Sequence, residues 1–464
     1  MNSGVQRVVV VGASVAGMFA AAAAAHAGCE VLVLERDEPT DDVGPHRGVP
    51  QRRQPHVFLY RGLISLEELL PGIRADLLAR GAVALDTGDL AWLGEQGWMA
   101  TGQPSFEVVS MTRPLLDQVV RRRVVGLPGI EIRGGVRVSG LRRAGARWQV
   151  EIAGGEPIVD VDLVVDASGR GSRLPTWLAE LGVDAPSLTE IDAGVGYATR
   201  RYRLEGADAA RREHDFVGVV VAQTPATLRG GIALPVEDGH WLVAGFGCGE
   251  QRPPRDAAGF TSFLESLRDP ALADLVRNGE PVGDVDVHRQ TANRRHRYEQ
   301  LAGWPENLLV LGDAFCAFNP VYGQGITVSA MEALLLRRAL ADGLRPGSAA
   351  RLLKDFARVV ALPWSIATSE DLRYPTSVGR QTPAQAVLGR WSRTLGQLAA
   401  HGDSRAQAVL GRVYHLMGSP LLLFDPRLMA SAVRSGVRGF GAPVQRPRAL
   451  DSLTEPLSGT STTV

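Results

Sequence analysis

The segment from Arg7 to Glu35 constrains the fold more than any other part of the chain. Arg7 to Gly12 is a β-branched run, Ser14 to Ala27 an alanine-rich stretch, and Glu30 to Glu35 a second apolar run ending in an acid. This succession predicts a βαβ unit, because buried parallel strands read as continuous apolar stretches. The alanine face of the helix predicts close packing onto the sheet. Between strand and helix stands Gly12-Ala-Ser-Val-Ala-Gly17, the spacing of a dinucleotide-binding turn. A tight turn at Gly12 lets backbone N–H groups at the helix start meet a pyrophosphate. Gly17 lets helix and strand approach, and Glu35 can accept from ribose hydroxyls. Ser14 stands where the pattern prefers a second glycine, which narrows the approach to the phosphates. The turn alone leaves NAD and FAD both open.

Val8 to Gly28 also has the length of a signal-peptide core or a membrane span. It is broken by Gly12, Ser14 and Gly17 and followed by an orderly strand, so it reads as fold rather than as targeting. At 464 residues the chain can build two or three packed units. Its 50 basic residues equal its 50 acidic ones, so no global field draws nucleic acid or lipid and a charged partner must be met locally. Cys29, Cys248 and Cys316 are widely spaced, which indicates neither a disulfide framework nor a zinc site and suits a reducing cytoplasm. Neither a metal nor stable membrane insertion is expected.

Further along, Asp37 to Pro55 reads as a long loop and Leu63 to Arg80 as helical. Leu127 to Val138, Trp148 to Ile152 and Asp162 to Asp166 read as strands. Gly194 to Leu204, Phe216 to Gln223, Gly231 to Val236 and Trp241 to Gly247 have the pattern of an antiparallel sheet. Leu308 to Asp313 then resumes the buried-strand pattern, and a long helix follows from Ile326 to Ala341.

The expected fold is therefore α/β. A discontinuous Rossmann-like domain (1–82, 111–190, 295–345) carries an inserted antiparallel β-sheet substrate domain (83–110, 191–294). A helical C-terminal segment (346–440) and a loose, Pro/Ser/Thr-rich tail (441–464) complete it.

A second constellation favours FAD. The strand Leu308-Leu-Val-Leu-Gly-Asp313 delivers an acid, and Pro320 and Gly323-Gln-Gly325 then open a helix. Asp313 is placed to hydrogen-bond a ribityl chain. The backbone amides after Pro320 aim positive dipole at the N1/C2 edge of a flavin, where the reduced ring carries negative charge. Gly325 is expected to tolerate no bulky side chain.

The Gly12/Ser14/Gly17/Glu35 start together with Gly312-Asp-Ala and Pro320-x-x-Gly-x-Gly325 resembles the group A flavoprotein monooxygenases of the p-hydroxybenzoate hydroxylase type. Arg47-Gly-Val-Pro-Gln51, Asp166-Ala-Ser-Gly-Arg-Gly-Ser172, Tyr197-Ala-Thr-Arg200, Asn293-Arg-Arg-His-Arg-Tyr298 and Asn319-Pro-Val-Tyr-Gly323 are similar to flavin-dependent epoxidases of polyether polyketide biosynthesis.

The resemblance implies FAD as cofactor, O2 as co-substrate, and NADPH or a separate flavin or ferredoxin reductase as electron source. It implies an apolar small-molecule substrate such as a polyene polyketide, epoxidised by a flavin C4a-hydroperoxide. The implied cofactor contacts are Gly12, Ser14, Ala16, Gly17, Glu35, Arg36, Arg47, Gln51, Arg113, Asp166, Gly169, Gly312, Asp313, Pro320, Gly323, Gly325 and Ile326.

Related hydroxylases carry Asp-Gly where this chain has Ser168-Gly169, which puts direct reduction by NADPH in question. The Trp-x-Trp-x-x-Pro segment of related halogenases is absent. Hydroxylation or Baeyer–Villiger oxidation of an aromatic polyketide, and an O2-independent geranylgeranyl-reductase-type reaction, stay open beside epoxidation. No catalytic base stands out. His56, Tyr197 and Tyr322 are candidate pocket residues, and the strands Phe216 to Val221 and Gly231 to Val236 are candidates for the pocket floor.

Overall fold

A computed structural model describes residues 6–38, 56–204, 217–277, 279–379 and 381–451, and excludes the side chains of His56 and Val57. Arg47, Gln51 and most of the Asp37–Pro55 loop lie outside the described residues. The first strand, Arg7–Val11, pairs in parallel with Glu30–Leu34 on one side and Leu163–Asp166 on the other. Leu308–Val310 and Ile130–Arg133 complete a five-stranded parallel sheet as its two edges. Helix α1 (Val15–His26) crosses between the first two strands, and its Ala20 to Ala24 run is fully buried.

The helical stretch after Leu59 divides into α2 (Tyr60–Leu69) and α3 (Ile73–Ala79), because Gly72 takes a left-handed φ of 85° between them. Helix α4 (Arg113–Val125) starts at Thr112, whose hydroxyl caps it by accepting from the Leu115 N–H. Helix α5 (Leu174–Glu180) follows the parallel strand that ends at Asp166.

A six-stranded sheet is built in the order Glu280–His288, Val195–Arg203, His240–Cys248, Arg229–Pro235, Val219–Val221, Ala91–Leu93. It is antiparallel except for the last pair. Alternation divides its side chains between two faces. Val219, Val221, Ala233 and Val243 pack with α6 (Ala257–Glu265) and α7 (Ala271–Arg277), whereas Tyr197, Ile232 and Phe246 pack with Val321 and Tyr374 on the opposite face.

The chain then returns to the parallel sheet and continues into α8 (Gly325–Ala341), which packs against α1 and α2. The C-terminal segment is helical: α9 (Ser348–Asp371), α10 (Pro383–Ala400), α11 (Ser404–Tyr414) and α12 (Pro426–Arg438). No helix among the described residues is long and apolar enough to cross a membrane.

The described part of the tail, 441–451, is docked rather than loose. Leu450 is fully buried in the core beneath the six-stranded sheet, and Arg446 pairs with Asp269 at 3.0 Å. Polar composition concealed this, because one leucine and one ion pair suffice to fix a short segment.

Candidate functional site

The N-termini of α1, α4 and α8 open onto one crevice of about 1810 Å³ between the parallel sheet and the six-stranded sheet. Helix N-termini leave N–H groups without intrahelical partners, so three of them create a positive lining suited to an anion.

Gly12 holds the first end in place. Its φ is 101°, its N–H donates to Leu34 O at 2.8 Å, and a Cβ there would lie 2.6 Å from Ala167 O. Only glycine fits that position. Gly17 sits behind it, where a Cβ would stand 1.8 Å from Gly12 O, and so allows the helix to close onto the turn.

Glu35 closes the turn from the second strand. Its carboxylate accepts from the Ala13 N–H at 2.7 Å and the Asp37 N–H at 3.1 Å. Arg113, 3% exposed, donates from Nη2 to Ser14 Oγ at 2.9 Å and from Nε to Asp117 at 2.7 Å. One guanidinium therefore joins the first turns of α1 and α4.

Asp313 lies at the other end, 3.6 Å from the Arg170 guanidinium. Burial raises its carboxyl above the usual range, and Arg170 and Arg113 oppose that shift. A Cβ on Gly325 would meet only Asp313 Oδ1 at 3.6 Å, an ordinary contact, so the expected intolerance there begins beyond the first carbon. Beside it Gln324 is 1% exposed, and neither Oε1 nor Nε2 of its amide has a hydrogen-bond partner among the described residues. Buried amides are rarely left so, and one that lines a crevice is suited to a ligand's polar edge.

Gly12, Ser14, Ala16, Glu35, Arg36, Arg113, Gly169, Asp313, Pro320, Gly323, Gly325 and Ile326 thus line one crevice. Two other candidates stand behind it. Asp166 is fully buried and accepts from the Ser168 N–H and from the Ser168 and Ser172 hydroxyls, so it braces the Ser168–Ser172 turn instead of reaching a ligand. Gly312 donates its N–H to Glu332 Oε2 at 2.7 Å, and a Cβ there would press within 2.7 Å of Ala16 Cβ. Its role is the close approach of the sheet to α1.

Tyr197 and Tyr322 do not line this crevice. Both belong to a buried polar cluster around Asp371, at the end of α9. Tyr322 donates to Asp371 at 2.6 Å, Asn293 does so at 2.6 Å, and Tyr197 donates to Asn319 Oδ1 at 2.7 Å. Burial pushes both phenols well above their usual range and raises the Asp371 carboxyl to about 6. Neutral phenols held as donors make poor bases, and the cluster instead fixes the Asn319–Gly323 loop that leads into α8. His56 contributes backbone pairing with Met111, and its side chain lies outside the described residues.

The opposite wall comes from Thr199, Arg200, Arg201, Leu242, Val282 and Gly283 rather than from the aliphatic strands at 216–221 and 231–236. Alternation sends Val219, Val221 and Ala233 into the core instead. Three contributors were not evident in the sequence. Glu237, from the turn joining two strands of the six-stranded sheet, accepts from the Thr112 N–H at 3.0 Å and docks that sheet onto α4. Arg170 donates to Ala292 O and Phe318 O, which ties the Ser168–Ser172 turn to the loop before α8. Glu332 supports Gly312 from within α8.

This architecture, a parallel sheet with helices joined to a large antiparallel sheet, is shared with solved flavoproteins. The flavin-dependent brominase Bmp2 shares it with a TM-score of 0.64 at 16% identity, over 93% of this chain and 100% of that one. A flavoprotein/dehydrogenase from Cytophaga hutchinsonii aligns with a TM-score of 0.65 at 15% identity, over 93% and 99%. No family model matches. Protein Rv3254 of Mycobacterium tuberculosis (strain ATCC 25618 / H37Rv) is 30% identical over 412 residues, 84% of each chain, and this chain belongs to the same family. A kynurenine 3-monooxygenase of Salinispora tropica is 27% identical over 474 residues, 94% of this chain and 99% of that protein.

Proposed function

We propose that the protein is an FAD-dependent monooxygenase that inserts one oxygen into an apolar natural-product intermediate, with epoxidation of an alkene or polyene as the favoured reaction. The observation that carries this reading is the convergence on one crevice of Gly12, Glu35, Arg113, Asp313 and the Gln324 amide, which has no hydrogen-bond partner among the described residues. These residues fit FAD along its length. The α1 N-terminus and Arg113 would hold the pyrophosphate, Glu35 the adenosine ribose, Asp313 the ribityl chain, and the α8 N-terminus with Gln324 the polar edge of the ring. Bound there, the flavin supplies the redox chemistry that activates O2.

The discontinuous FAD-binding domain over 1–82, 111–190 and 295–345 belongs to this proposal, with 83–110 and 191–294 as substrate domain. Kynurenine 3-monooxygenase of Salinispora tropica, by its name a monooxygenase, supports the reaction class.

The preference for epoxidation rests on the resemblance of the Asn319–Gly323 and neighbouring motifs to polyether epoxidases, because the described crevice lining has no histidine, cysteine or tyrosine but does hold the carboxylates Asp238, Asp284 and Asp286. Epoxidation needs no protein base, whereas deprotonating a phenol benefits from one. What the protein supplies is position and charge. Arg170 and Arg113 hold positive charge beside Asp313, and the Asp371 cluster keeps the Asn319–Gly323 loop in register.

Electrons come from NADPH or from a separate reductase. Ser168, where hydroxylases carry an acid, donates its hydroxyl to Asp166. The test is an anaerobic titration of the FAD-reconstituted protein with NADPH, followed by readmission of oxygen. Bleaching and oxygen-dependent recovery are expected for a self-sufficient enzyme. Bleaching by dithionite alone would assign reduction to a partner. A reduced flavin that passes electrons to an alkene without consuming oxygen would overturn the monooxygenase reading in favour of a geranylgeranyl-reductase-type reaction.

A further inference from the structure

Charge in this chain is balanced overall but not locally. From Pro383 to Phe440 it carries seven arginines (390, 393, 405, 412, 427, 434 and 438) against two acids, Asp403 and Asp425. Both acids are engaged: Asp403 caps α11 through the Ala406 N–H, and Asp425 caps α12 through the Arg427 N–H and pairs with Arg405. Within this segment little negative charge remains to offset the arginines.

Helix α12 packs by Leu428, which is fully buried, and turns a second apolar stripe outward. Met429, Val433 and Val437 follow at i, i+4 and i+8, with Val433 68% and Val437 82% exposed. Arg427, Arg434 and Arg438 recur at i, i+7 and i+11 on the adjoining face. The turn before the helix adds Leu421, 75% exposed, and Phe424, whose ring stacks on Trp391 with centroids 6.3 Å apart. Monomeric proteins rarely expose large apolar patches, and this stripe lies on a helix whose own charged side chains are all arginine, which gives it a specific complement.

We propose that the α12 face docks reversibly on an anionic phospholipid bilayer, with Val433, Val437, Met429 and Leu421 entering the headgroup boundary and the arginine row pairing with lipid phosphates. An amphipathic helix with a cationic flank lies in the interface plane in this way. A symmetric second copy is the poorer occupant, because a two-fold contact would set the arginine row of one chain against that of the other. An acidic protein would satisfy the arginines but would leave protruding valines without an acyl layer. This assignment does not depend on the reaction at the crevice. A peripheral enzyme could take an apolar substrate from the bilayer without spanning it.

The test is co-sedimentation of the full chain with phosphatidylcholine vesicles, with and without phosphatidylglycerol. Binding is expected only with phosphatidylglycerol, and raised salt should weaken it. Val433→Glu/Val437→Glu should abolish binding. Arg434→Gln/Arg438→Gln should weaken it about thirtyfold, equivalent to about 1 kcal/mol per arginine near an anionic surface. Both variants should keep the wild-type circular dichroism. No binding to phosphatidylglycerol vesicles overturns the proposal, as does equal binding of wild type and the valine variant. A dimer that the valine variant disrupts, without vesicle binding, would assign the face to a second copy and likewise overturn it.

Discussion

Arg113 Nη2 lies 2.9 Å from Ser14 Oγ, so the first residue of α4 is tied to the residue at the N-cap position of α1. Two helix N-termini thereby share one cation in the crevice lining. Because the same guanidinium pairs with Asp117, it is pre-oriented and mostly withdrawn from water. Arg113→Met is expected to weaken FAD binding by about tenfold to hundredfold, the equivalent of about 1.5–3 kcal/mol for hydrogen bonds involving a charged group. Quenching of flavin fluorescence measures it. Unchanged affinity would remove Arg113 from the cofactor site.

Gly12 and Gly325 both belong to glycine-containing motifs, yet the structure separates their roles. Gly12→Ala forces a residue with a Cβ to a φ of 101° and to within 2.6 Å of a carbonyl oxygen, and should destabilise the fold by about 2 kcal/mol or more. Gly325→Ala meets only a 3.6 Å contact and should change stability by less than about 1 kcal/mol. Thermal denaturation of the two variants should therefore differ clearly.

Glu332 is fully buried, and burial raises its carboxyl from 4.5 to about 8. For an acid raised in the folded state, the unfolded chain releases its proton first. The stability it contributes is present below about pH 4.5 and is lost as pH rises to about 8. Glu332→Gln keeps an acceptor for the Gly312 N–H and removes the proton. Denaturant unfolding should show the variant gaining on wild type by on the order of a few kcal/mol between those pH values. A constant difference across the range would mean that Glu332 is not the titrating group.

Leu450 reports on the tail. Leu450→Ala should lower stability by about 2–4 kcal/mol, as for a fully buried leucine, whereas a loose tail would leave it unchanged. Urea unfolding of the single variant is sufficient to decide.

The parts of this molecule that were legible in its sequence are local ones. Arg7 to Glu35 declares a strand, a turn, a helix and a second strand because buried parallel strands and an alanine helix each leave an uninterrupted pattern. The run from Leu308 to Ala341 does the same, although its strand ends at Val310 and a short turn carries Asp313. What sequence reading missed depends on partners far apart in the chain. Glu237 meets Thr112 across 125 residues, and Arg446 meets Asp269 across 177. The family resemblance implies Asp166 as a cofactor contact, whereas its oxygens are occupied by two serines within six residues. Tyr197 and Tyr322 were candidates by chemistry alone, and Asn319 and Asp371 divert both into a structural cluster.

FAD is proposed to lie in the crevice between the two sheets, held by Glu35 and Asp313. This placement is tested most directly by the visible spectrum after gel filtration of protein reconstituted with FAD, for wild type, Glu35→Ala and Asp313→Ala. A flavin band should stay with wild-type protein and be lost or reduced in both variants, with folding intact by circular dichroism. Full flavin occupancy in both variants, or none in wild type, would contradict it.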